Sequence, residues 1–145
     1  MARRVRPKRH DSFESEVHRQ FGPLAAQWGL EGPIDDGVVL ATVSYHLDRL
    51  SYTWMLDDED RELSVRVALV VAEGQLTIAL DDLVPGLGLA PRQQVRSSAR
   101  TWHGLQQAID SHTQWLERLH PQLTTPEASH DLERAGARLF APDLD

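Results

Sequence analysis

At 145 residues the chain can bury a core as one domain, and without cysteine it must do so with no disulfide and no thiolate metal site. Its net charge of −7 argues against a broad nucleic-acid footprint. No apolar run approaches the roughly 18 residues that a membrane span needs, so a cytoplasmic protein without membrane attachment is expected.

Residues 1–10 form a basic arm. Arg3, Arg4, Arg6, Lys8 and Arg9 leave only ten basic against twenty-two acidic residues over 11–145, the expected single domain. No apolar run follows the arm, so it does not read as a secretory signal. An untethered, solvated leader is the expectation, and nucleic-acid contact through these five cations is the functional alternative.

Asp11 with Glu14 reads as a capping box that opens a helix. Phe13, Val17, Phe21, Leu24 and Trp28 form its apolar stripe. Gly22-Pro23 should kink it, and Gly29 should end it.

Four alternating runs follow, at 38–47, 50–56, 62–72 and 75–80, each with the period of two that marks a strand with one apolar face. A two-residue turn at Asp48-Arg49 would set Leu47 opposite Leu50, Tyr45 opposite Tyr52 and Val43 opposite Trp54. A four-residue loop from Asp58 to Arg61 would set Trp54 opposite Val65 and Tyr52 opposite Val67. A turn at Glu73-Gly74 would set Val71 opposite Leu76 and Leu69 opposite Ile78. Every apolar residue then shares a face, which is the test a one-residue slip would fail. The expectation is a four-stranded antiparallel meander.

That topology would gather Asp35, Asp36, Asp57, Asp58, Glu59, Asp60, Glu62, Asp81 and Asp82 at one end of the sheet, near Arg61 and Arg66. Two like charges ~7 Å apart in water repel by only about 0.6 kcal/mol, so the cluster is tolerable as a solvated turn region. Its functional reading is a contact for a basic protein. Asp57-Asp58-Glu59-Asp60 lacks the glycine-bearing loop that calcium favours, so no metal is expected. The polar sheet face, with Ser44, His46, Thr53, Met55 and Arg66, is a second contact surface. It or a strand edge could also receive a second copy of the chain.

Pro85, Gly86, Gly88 and Pro91 mark residues 82–94 as a crossing loop. A long helix is expected from about Val95 to Leu119, with Ala99, Trp102, Leu105, Ile109, His112, Leu116 and Leu119 on its apolar face and Pro121 as its stop. A short helix over about 127–139 would pack Leu132, Ala135 and Leu139. The architecture is therefore α+β: a kinked helix, a four-stranded meander, a long helix on one sheet face and a short final helix.

The seven histidines form no metal-binding spacing. His46, Ser51 and Asp48 fall close together on the sheet without a full set of nucleophilic roles. Gly86-Leu87-Gly88 is only a fragment of a nucleotide-binding loop. No cofactor is expected. In its order of elements, over residues 11–140, the chain resembles the small α+β immunity proteins that neutralise bacterial toxins, many of which present acidic surfaces to basic nucleases. Secretion chaperones share the outline. The resemblance is one of architecture and carries over no family residue. It implies a non-catalytic binding module that meets a basic partner at the acidic sheet end. The alternative is a small-ligand binder or enzyme with a pocket between sheet and helices, lined by Tyr45, Tyr52, Trp54, Trp102 and Trp115 with His112 as a polar contact.

Overall fold

The computed structural model describes residues 9–34, 41–57 and 59–141. Over these residues it is an α+β fold with four α-helices and a fully antiparallel sheet. The sheet has six strands rather than four, arranged in chain order: β1 (Glu31–Ile34), β2 (Ala41–Leu47), β3 (Leu50–Asp57), β4 (Glu62–Val71), β5 (Gly74–Ala79) and β6 (Arg138–Phe140).

The expected meander is β2 to β5. Tyr45 lies opposite Tyr52, Val43 opposite Trp54, Tyr52 opposite Val67 and Trp54 opposite Val65, as the turn lengths require. The β4–β5 register differs from expectation by two residues: Leu69 opposes Leu76, and Val67 opposes Ile78. A slip of two keeps every side chain on its face, so the apolar pattern could not exclude it. Gly74 is no turn residue here but opens β5 opposite Val71. Its φ is +150°, and an added Cβ would lie 2.2 Å from the Phe140 carbonyl oxygen. Only glycine lets β6 approach this closely.

The two additional strands lie at the edges. In β1, Gly32 and Pro33 obscure the pattern, and Pro is tolerated on an edge strand. In β6, three residues are too few to show a period. Gly136, at φ +103°, ends the last helix early and turns the chain into β6, so Leu139 is half exposed rather than packed.

The first helix, α1 (Arg9–Trp28), begins two residues before Asp11. It runs through Gly22-Pro23 as one helix. Pro23 lies on its exposed side, where water can satisfy the carbonyl that loses a partner. Its buried stripe is Phe13, Val17, Phe21 and Ala25. The expected crossing loop contains α2 (Leu80–Gly86) and a 3-10 turn over Arg92–Gln94.

The long helix, α3 (Trp102–Leu123), starts seven residues later than expected. Thr101 caps it by accepting a bond from the Gly104 amide at 2.9 Å. The preceding residues are extended instead, with Leu63 N–H donating to the Ser97 carbonyl and Ala99 N–H to the Arg61 carbonyl, so they cover the edge of β4 beyond β5. Pro121 sits exposed inside the last turn and does not stop the helix, which buried Leu123 anchors. The final helix is α4 (Ala128–Arg134).

All four helices contribute to one core on one side of the sheet. Phe21 sits at its centre, with Tyr45, Tyr52, Trp54 and Trp28 arranged about its ring at centroid separations of 5.0 to 6.1 Å. Edge-on and tilted contacts of this kind add to the burial of large rings. No described helix is long and apolar enough to cross a membrane.

Candidate functional site

Alternation along the strands leaves the other sheet face without a described helix on it. Two rows of side chains cross it. One runs Ile34, Ser44, Thr53, Arg66, Ala79. The next runs Glu31, His46, Ser51, Ala68, Thr77, Arg138. The expected face residues Ser44, His46, Thr53, Met55 and Arg66 thus lie on neighbouring positions of one surface. Most of its side chains are small, with Ile34, Val70 and Phe140 as exposed apolar groups towards its margins. The Ser44 and Thr53 hydroxyls are 3.3 Å apart. A carboxylate does meet His46, but it is Glu31, at 3.2 Å, and not Asp48 of the turn.

The same alternation puts Asp57 and Glu62 opposite each other on this face. Asp57 Oδ1 accepts the Glu59 and Asp60 amides at 2.9 and 3.1 Å, which shapes the turn. Asp57, Glu59, Asp60 and Glu62 therefore form a compact acidic turn. Asp81 and Asp82 do not close a strand beside them. They lie in the first turn of α2, and Arg92 binds both, reaching Asp81 at 2.9 Å. Burial pushes the Asp81 carboxyl upward, and the Arg92 guanidinium pulls it back. Asp35, Asp36 and Asp58 lie outside the described residues, as do Arg3, Arg4, Arg6 and Lys8, while Arg9 opens α1. Among the described residues, no group of three or more metal-ligating side chains could hold a metal ion.

The expected ligand pocket is not formed by its aromatics. Tyr45, Tyr52 and Trp54 are buried in the core, and Trp102 is exposed. Trp115 is half-buried, donating to the Gln94 carbonyl and stacked beneath Arg118. A groove of about 650 Å³ instead lies at the far end of the sheet, where Leu47, Leu69 and Val71 face Leu123 and Thr125.

The core also holds polar groups. Burial pushes His112 down to about 4, against the opposing bond to the Ala108 carbonyl at 2.8 Å. That bond requires Nδ1 to carry the proton, leaving Nε2 as a buried acceptor without a partner among the described residues. The Trp54 indole N–H is likewise buried and without a partner among the described residues, with its ring 6.1 Å from that of His112. Tyr52 and His120 share a buried hydrogen bond of 2.7 Å, and His120 stacks on Trp28 at 3.8 Å. Sequence reasoning overlooked His120, although it follows His112 and Leu116 at successive i+4 positions on the buried side of α3. Between α1 and α3, buried Glu16 accepts bonds from Arg19, Gln20 and Gln106. Burial opposes its ionisation, but these bonds outweigh it and hold the carboxyl below its ordinary range.

No family model, curated protein or solved structure matches the chain.

Proposed function

We propose that the protein is a non-catalytic protein-binding module whose contact surface is the sheet face that no described helix covers, with a basic segment of its partner seated at the acidic turn. An inhibitor or chaperone-like role, of the kind played by the immunity proteins it resembles in outline, is the finer form of this reading. The observation that carries it is the pair Asp57 and Glu62, directly opposed on that face with no ion-pair partner among the described residues. Like charges opposed across strands destabilise a sheet. A lysine or arginine seated between them would remove that cost and add attraction to both.

The small side chains of the face let another surface approach closely, and Ile34, Val70 and Phe140 supply apolar contact at its margins. The test is capture of partners from the native host with the wild-type chain, the D57K/E62K variant and an E133K control on α4. A basic protein held by wild type and by E133K, and lost with D57K/E62K, is the expected result. Equal retention by all three refutes the reading, and so does self-association through the face in place of a second protein.

A small-ligand function is the second reading, favoured by the groove of about 650 Å³ between the hairpin ends and the α3–α4 connection. An L69W substitution would fill that groove, and a ligand whose binding survives it does not occupy the site.

A further inference from the structure

The geometry points to a binding site for a phosphate monoester at the β4–β6 corner of the uncovered face. A cavity of about 330 Å³ lies there, lined by Arg66, Thr77, Ala79, Asp82, Arg138 and Phe140. The register brings the two arginines together. Arg66 is opposite Ala79, Arg138 is opposite Thr77, and Thr77 and Ala79 are two residues apart on β5. Both therefore rise from the same face, on strands about 10 Å apart, over a floor of small side chains.

The fold does not use these charges itself. Arg19, Arg92 and Arg134 are paired with carboxylates, Arg96 binds Gln107 and Arg118 lies over Trp115. The side chains of Arg66 and Arg138 have no hydrogen bond or ion pair among the described residues. Arg66 stands in mid-strand with Thr53 and Ala79 across from it and Ser64 and Ala68 on either side, so no acid faces it along the sheet. Asp82 is the carboxylate on the cavity rim, and it is already engaged by Arg92. The uncommitted charge of the cavity is positive, although the chain as a whole is acidic.

Two guanidinium forks and the Thr77 hydroxyl offer more donors than one carboxylate can accept. The three terminal oxygens of a phosphate monoester dianion can accept from both forks. Phe140, on the rim, gives an apolar surface for the organic part of the ligand. The site requires no protein partner, so its test is independent of the capture experiment.

The test follows arginine Nε–H and backbone amide signals while inorganic phosphate, phenyl phosphate and acetate are added separately. Saturable shifts at Arg66, Arg138 and Thr77 are expected, with phenyl phosphate bound more tightly than phosphate and acetate more weakly than both. R66Q and R138Q should each weaken phosphate binding about tenfold, the usual loss for one charged hydrogen-bonding group. R66K should also weaken it, because the charge remains but the fork is lost. F140A should abolish only the preference for phenyl phosphate, and R100Q, outside the cavity, should change nothing. Amide spectra establish that each variant is folded. Unsaturable shifts, acetate binding as tight as phosphate, or undiminished binding by the R66Q/R138Q double variant would overturn the assignment.

Discussion

Replacing His112 with leucine should make the protein markedly less sensitive to mild acid. His112 is fully buried on α3, its Nδ1–H bonded to the Ala108 carbonyl and its Nε2 without a partner among the described residues. Burial lowers its folded-state pKa to about 4, from an unfolded value near 6.5. Below pH ~6.5 the unfolded chain therefore takes up a proton that the native state refuses, and stability falls as pH falls. The slope approaches about 1.4 kcal/mol per pH unit for one group below its unfolded pKa, so lowering the pH from 7 to 5 removes about 2 kcal/mol through His112.

His120, also lowered by burial, contributes with the same sign below its unfolded pKa. Glu16, held below its ordinary range, acts at lower pH. Urea unfolding at pH 7, 6 and 5 measures the effect as a change in midpoint at constant slope. H112L should lose about 2 kcal/mol less than wild type between pH 7 and 5. If H112L loses as much stability as wild type over that interval, buried neutral His112 is not a source of acid sensitivity.

Tyr52→Phe removes the hydroxyl that meets His120 at 2.7 Å and leaves a buried imidazole nitrogen unpaired, which should cost about 1–3 kcal/mol by urea unfolding. A change below about 0.5 kcal/mol, the ordinary range for an exposed substitution, would mean that the bond contributes little. Gly74→Ala places a Cβ against the Phe140 carbonyl and should release β6, at a cost of about 1–3 kcal/mol. Hydrogen exchange should quicken at Arg138 and Phe140 while Tyr52 and Val67 stay protected. Unchanged exchange at β6 in that variant would show that the close approach relaxes freely.

The central sheet was legible because two constraints coincide in it. Period-two alternation assigns each residue to a face, and short connections at Asp48-Arg49 and over 58–61 leave one register that keeps Tyr45, Tyr52, Trp54, Val65 and Val67 together. The apolar stripes of α1 and α3 follow from helical spacing in the same way, through Phe13, Val17, Phe21 and through Leu105, Ile109, Leu116. The candidate site was legible as a face. Ser44, His46, Thr53, Met55 and Arg66 were assigned by alternation alone, and the structure puts them on one surface.

Other features depend on encounters between segments distant in sequence. The β4–β5 pairing differs by two because an even slip leaves the apolar pattern unchanged, and in the observed register Gly74 lies against Phe140 of β6. Asp81 and Asp82 read as the end of a strand, but α2 carries them to Arg92, and the extended Ser97–Ala99 segment takes the place beside β4. Arg138 became a neighbour of Arg66 only because three residues past α4 pair with β5, a segment too short to carry a period. Local periodicity thus determined which residues turn inward. The edges of the sheet, the division of the acidic residues and the pairing of the two arginines were decided by long-range packing, because each depends on two segments whose separate patterns do not refer to one another.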